Sequence, residues 1–103
     1  MAASTDPDAY ALLVSGNSMA PRMRPGEAVL VEPNHECQPG DEVVLGLRGG
    51  DRMVKEFVYQ RRGRIGLDSI ADHQERIEVA EEEVAFMHYV AGVFRVGSIR
   101  KRE

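Results

Sequence analysis

Apolar residues in this chain fall in short runs broken by glycine, proline and acidic turns, and none of the runs repeats at helical spacing. Tyr10-Ala11-Leu12-Leu13-Val14 is the first run. Glu27 to Glu32 reads as a second strand, closed by Pro33-Asn34. Residues 33–40 form a loop that ends in the turn signal Pro39-Gly40-Asp41. Glu42 to Leu47 is a third strand, and Gly49-Gly50-Asp51 makes the hairpin turn into a fourth over residues 52–60. Arg61-Arg62-Gly63 turns the chain into a fifth strand, Arg64 to Leu67. Asp68 to Gln74 is a polar loop and Arg76 to Val79 a short sixth strand. Glu81-Glu82-Glu83 reads as a solvated acidic run and nothing more. Val84 to Val96, β-branched and aromatic, is a closing strand broken near Gly92. Short strands joined by Gly/Pro turns predict an all-β domain, a small barrel or folded sheet. Residues 1–9 are small, acidic and polar and read as a linker or tail ahead of one domain, residues 10–103.

The fourth strand is the most informative. Period-two alternation puts Met53, Lys55, Phe57 and Tyr59 on one face and Val54, Glu56 and Val58 on the other. A lysine is thereby placed among a methionine and two aromatics, a setting that disfavours its charged form.

Length and composition narrow the class. The chain has 103 residues, room for one domain with a real core and too few for two. Its formal net charge of −4 argues against a nucleic-acid binder as a whole. Arg61-Arg62-Gly63-Arg64 and Arg100-Lys101-Arg102 read as a solvated hairpin tip and tail. The single cysteine, Cys37, excludes an internal disulfide and points to a reducing cytoplasm. No apolar run approaches the roughly 20 residues that span a bilayer, so no membrane partner is expected. His35, Cys37, His73 and His88 lack a zinc spacing, and neither a metal nor another cofactor is expected.

The candidate chemistry lies in Gly16-Asn17-Ser18-Met19-Ala20-Pro21-Arg22-Met23-Arg24-Pro25-Gly26-Glu27. A small-residue turn presents one serine, and two prolines and a glycine fix its exit. A serine alone in such a turn is ordinarily a turn residue. Lys55, 37 positions later, changes that reading. A serine hydroxyl is a poor nucleophile without a base, and a lysine can serve as one only when uncharged. From a reference pKa of about 10.4, each unit of lowering costs about 1.36 kcal/mol, so the site must desolvate the amine. Ser18 and Lys55 are the candidate nucleophile and base. Met19, Met53 and Phe57 are the candidate cleft lining. The backbone N–H groups of Asn17 and Ser18 are the candidate oxyanion donors, since a tight glycine-led turn aims successive amides at one point. The plainer reading of Lys55 is an exposed strand lysine paired with Glu56 or Glu42.

The set Ser18-Met19-x-Pro21, Pro25-Gly26-Glu27 with its strand, Gly40-Asp41-Glu42-Val43-Val44 and Val54-Lys55 resembles the LexA-like family of serine peptidases. That family includes LexA, phage repressors of the lambda CI type and the UmuD mutagenesis proteins. The resemblance runs over residues 12–96 and implies a small, highly twisted folded sheet of the LexA/signal-peptidase kind. It implies Ser18 as nucleophile, Lys55 as general base, and Val90-Ala91-Gly92-Val93 as the late strand leading to a dimer contact. It further implies self-cleavage of an interdomain linker, stimulated by RecA filaments, in a homodimer whose operator DNA is held by a separate N-terminal domain. Three features depart from the family pattern. Ser69-Ile70-Ala71-Asp72-His73-Gln74 stands where an Asn-Pro-x-Tyr-like segment is common, and Glu27 replaces the commoner aspartate. The one Ala-Gly pair, Ala91-Gly92, lies downstream of the serine rather than upstream. The chain therefore looks like the C-terminal piece of a repressor, or a stand-alone relative similar to UmuD. The rival readings are a non-catalytic pairing module on the same fold, and a signal-peptidase relative, which the lack of a membrane segment disfavours.

Overall fold

A computed structural model of the chain describes residues 4–15, 19–20, 22–69 and 75–95. Seven strands form one antiparallel sheet: β1 (Tyr10–Leu13), β2 (Glu27–Glu32), β3 (Glu42–Leu47), β4 (Arg52–Arg61), β5 (Arg64–Asp68), β6 (Arg76–Ala80) and β7 (Val84–Arg95). Their order across the sheet is β1-β2-β7-β3-β4-β5-β6. The all-β class follows the strand pattern, and the strand limits agree with it to within a residue or so. Among the described residues no helix is long and apolar enough to cross a membrane.

The turns behave as their residues require. Arg61 pairs with Arg64, and the two residues between them, Arg62 and Gly63, have φ of 53° and 74°. Two positive φ angles in a two-residue loop match the right-handed twist of the strands on either side. Gly50 closes the β3–β4 hairpin at φ 106°.

Side-chain alternation on β3 divides the core in two. Val44 joins Val14, Met19, Met23, Val29, Val31 and Val90. Its neighbours Val43 and Leu45 join Phe57, Ile65 and Leu67. Successive strand residues point to opposite faces, so the two clusters lie on opposite faces of the sheet and β3 serves both. The first lies over β1, β2 and β7, the second over β4, β5 and β6. Strand β7 bridges the halves, pairing with β3 through Val84 to Tyr89 and with β2 through Tyr89 to Arg95.

Two register shifts change what the sequence suggests. Leu30 pairs with Gly92 but Val31 with Val90, so Ala91 is an extra residue in β7. The strand is bulged at Ala91 rather than broken near Gly92, and the bulge lets Val90 and Val93 both face the first cluster. In β4, Phe57 pairs with Leu67 but Tyr59 with Gly66. Leu67 and Gly66 point to opposite faces, so Tyr59 leaves the face shared by Met53, Lys55 and Phe57. Its ring occupies the space a Cβ on Gly66 would need. Glu81–Glu83, expected to be only a solvated run, forms a 3-10 turn between β6 and β7. The Arg48 guanidinium donates through Nε to the Glu82 carbonyl at 2.6 Å, and the Arg48 N–H to that of Glu83 at 2.9 Å.

Ahead of β1, residues 4–9 run beside the end of β2. The Ser4 hydroxyl donates to Glu32 at 2.6 Å, and the Asn34 side-chain amide donates to both Asp6 and Asp8 at 2.8 Å.

Candidate active site

Strand register explains where Lys55 stands. Its ladder partner on β3 is Val43, while Glu42 pairs with Glu56 one step away. Glu42 and Glu56 therefore project from the other face, and Glu42 is held there by Arg22 at 3.0 Å. The plain ion pair considered for Lys55 is thus ruled out by the pleat. On the other side of β4, pairing with β5 begins only at Glu56. Arg52 to Lys55 keep β3 on one edge and, among the described residues, no strand on the other.

That open edge lines a cleft of about 450 Å³. One wall is Gly50 to Lys55. The other is Leu12 to Ser15, the end of β1, together with Met19. Among the described residues, strand β1 is itself an edge of the sheet, pairing with β2 alone. Two strand edges thus border one cleft, and Leu13 on it is 63% exposed.

The serine turn joins the β1 wall to Met19. Ser18, Asn17, Gly16 and Pro21 lie outside the described residues, and with them the nucleophile and both candidate oxyanion donors. The feet of the turn are described. Val14 is tied to the start of β2: its N–H donates to the Glu27 carbonyl at 2.7 Å and its carbonyl accepts from Gly26 at 3.3 Å. Met19 and Met23 are 2% and 0% exposed in the first core cluster, linked by Met23 N–H to Met19 carbonyl at 2.9 Å. The Glu27 carboxylate accepts from the Arg24 N–H at 2.8 Å, and Gly26 takes φ 91° to turn into β2. The described residues on both sides of the serine are therefore anchored, at Val14 and Met19, on the cleft that Lys55 lines.

Of the expected lining residues, Met19 and Met53 border the cleft. Phe57 does not. It is 4% exposed, enclosed opposite Leu67 in the second cluster, because β5 covers β4 from Glu56 onward.

A partner of Lys55 that the sequence reading missed is Ser69. Lys55 Nζ donates to Ser69 Oγ at 2.8 Å. Ser69 follows β5 directly, one step past the Glu56–Asp68 pair, so it stands opposite Lys55 where the ladder ends. Once β4 and β5 are read as a hairpin closed at Arg61–Arg64, counting residues back along each arm gives a usable signal. The bulge at Val58 shifts that count by one, and it cannot be seen locally.

The residues weighed as metal ligands are spread over the molecule. His35 stacks on Tyr89 with ring centroids 3.7 Å apart. Cys37 packs against the second cluster, where burial and then the nearby Asp41 and Glu36 push its thiol pKa up. His88 lies on the first-cluster face of β7, its Nδ1 3.0 Å from the Tyr10 hydroxyl, and burial lowers its pKa. His73 lies outside the described residues. No group of three or more His, Cys, Asp or Glu side chains among the described residues is arranged to hold a metal ion.

A family model described as "Peptidase S24-like" matches residues 1–92. The chain is 34% identical over 90 residues to "Repressor protein C" of Rhizobium phage 16-3. The match covers 80% of this chain and 34% of that repressor, so the chain spans about a third of the length of the curated relative.

Proposed function

The chain belongs to the Peptidase S24-like family, and from that membership we propose that it is the self-cleaving and pairing domain of a phage-type repressor, with Ser18 as nucleophile and Lys55 as general base. One observation carries this reading: Lys55 and both feet of the serine turn border the same cleft, and that cleft is walled by two strand edges. Free strand edges accept an extended peptide by backbone hydrogen bonding. A linker lying along β1 and the start of β4 would pass between the Ser18 turn and Lys55.

The chemistry follows from the two groups. Uncharged Lys55 takes the hydroxyl proton as Ser18 Oγ bonds to the scissile carbonyl carbon. The Asn17 and Ser18 N–H groups receive the developing oxyanion. The Lys55 ammonium returns its proton to the departing amine. Water, deprotonated by Lys55, then hydrolyses the acyl ester and frees Ser18. In the parent protein the cut would separate this domain from its DNA-binding heads, and operator affinity would fall through lost bivalency. A homodimer and a RecA-filament trigger belong to the same proposal, by resemblance to the LexA-like members.

The test is cleavage in trans of a synthetic Ala-Gly linker peptide by the purified chain. Ser18→Ala and Lys55→Met are each expected to reduce the rate by at least about 1,000-fold while leaving the amide spectrum folded. An unchanged rate in Ser18→Ala overturns the reading. A folded, paired wild-type chain that cuts no linker, alone or with RecA filaments, leaves only the pairing role.

A further inference from the structure

Away from the cleft, the tip of the β4–β5 hairpin carries three arginines that the fold itself does not use. Arg61 and Arg64 are a cross-strand pair, and Arg62 sits in the turn between them at φ 53°. Like charges directly opposite one another destabilise a sheet. Left-handed backbone suits glycine or asparagine better than a long side chain, and Arg62 is the one non-glycine residue with positive φ among the described residues. Neither Arg61 nor Arg62 forms an ion pair with a carboxylate among the described residues. The tip therefore concentrates exposed positive charge against the interest of folding, and no contact within the domain offsets it.

The surface beside the tip is ordered. Tyr59 pairs with Gly66, and Gly66 with Glu78. The Tyr59 ring lies against Gly66, where an added Cβ would come within 2.4 Å of it, and the Tyr59 hydroxyl donates to Glu78. The Arg61 guanidinium lies 4.1 Å from the centroid of that ring, and the Arg76 guanidinium 5.5 Å. Arg64 donates through Nε to Glu78 at 3.0 Å, and Arg76 donates through Nε and Nη2 to Asp68. All of these side chains alternate with Phe57, Ile65 and Leu67, so they share the face opposite the second cluster. Gln60, on the cluster side, donates to the Glu81 carboxylate at 2.9 Å and keeps that acid behind the sheet.

We propose that Arg61, Arg62 and Arg64, set on the Tyr59 ledge, dock on the phosphate backbone of double-stranded DNA. A guanidinium fork matches phosphate oxygens two at a time. Phosphates lying between Arg61 and Arg64 relieve the repulsion of that pair. With Gly66 against it and two guanidiniums over it, the Tyr59 ring has no room for a stacked base, so the contact is with backbone and is independent of sequence. The choice of duplex DNA over another polyanion rests on the repressor reading above, which sets this domain beside an operator. The chain's formal net charge of −4 keeps the contact local and weak. It adds to the grip of the DNA-binding heads and does not replace it.

The test is an NMR titration of the full chain, read at backbone amides and arginine Nε, with a short random-sequence DNA duplex at low salt. Shifts are expected over residues 59–64 and 76–80, and the affinity is expected to fall with salt at a log–log slope of about −3. The double variant Arg61→Ala/Arg62→Ala is expected to bring the slope to about −1 and to lower the low-salt affinity at least about 10-fold. Arg62→Gly separates docking from folding: it is expected to weaken binding while keeping or raising thermal stability, because glycine takes the left-handed turn without strain. No shifts on this face, or an unchanged affinity in the double variant, overturn the proposal. So does tighter binding of single-stranded DNA, or of a poly-glutamate peptide, which would assign the face to an acidic protein instead. The linker-peptide assay reports separately on the peptidase reading, and the double variant is expected to cleave at the wild-type rate. Cleavage without docking removes this proposal alone, and docking by a chain that never cleaves removes the peptidase reading alone.

Discussion

The two walls of the cleft are held in different ways. Lys55 is placed by backbone ladders: β3 fixes it opposite Val43, and the end of the β4–β5 hairpin sets Ser69 beside it. The described residues on either side of Ser18 are held by side-chain packing, with Val14, Met19 and Met23 in the first cluster, and by a short set of loop hydrogen bonds. Ladder register is shared among many bonds and tolerates the loss of one contact. A loop pinned by buried side chains depends on each of them, since a packed core gives little when a neighbour is cut away. The lysine side is therefore the fixed reference of the site, and the serine side the part whose placement is sensitive to the core.

The sharpest test of that contrast pairs two core truncations. Met23→Ala and Ile65→Ala each remove a side chain that is at most 3% exposed, and each is expected to cost about 2–5 kcal/mol in urea unfolding. At low temperature, where both stay folded, Met23→Ala is expected to lose linker cleavage at least about 10-fold per folded molecule, through a loosened serine turn. Ile65→Ala is expected to keep it. Equal losses in the two variants would break the comparison.

A smaller effect is expected at Gly63. Alanine at φ 74° in the β4–β5 turn costs about 1–2 kcal/mol and shortens the lifetime of the lysine half. The hairpin register is set along its whole length, so the Lys55 resonance and the cleavage rate of the folded fraction should not move. A shift in that resonance would show that the turn, rather than the ladder, positions the lysine.

The smallest effect concerns acid. Burial lowers the pKa of His88, which packs on the serine-side cluster beside Tyr10 and Phe86. Its neutral form is therefore favoured in the folded state. The associated stability is complete above the unfolded value of about 6.5 and is lost as pH falls from there through the lowered folded value. His88→Gln is expected to lose less thermal stability than wild type between about pH 7 and pH 5. An identical loss in the two would place the acid sensitivity elsewhere.

Much of this was legible in the chain. Strand positions and the Arg62-Gly63 and Gly50 turns are local patterns, and the fold obeys them. The face assigned to Lys55 held for Met53 and Phe57. It failed for Tyr59, because the bulge at Val58 depends on how β5 pairs with β4. The lining assigned to Phe57 failed for a related reason: alternation says which face a residue takes, but not which neighbouring strand covers it.

Local sequence, then, determined where strands begin and end and that a lysine would stand on β4, because hydrophobic period and turn stereochemistry act over a few residues. Tertiary structure alone decided that, among the described residues, no second strand pairs with β4 as far as Lys55, that β1 forms the other wall of the cleft, and that Ser69 stands beside the amine. Those are matters of strand order and register between segments far apart in the chain. They are fixed by the requirement that two clusters on opposite faces of one sheet be buried together, which no short stretch of sequence states.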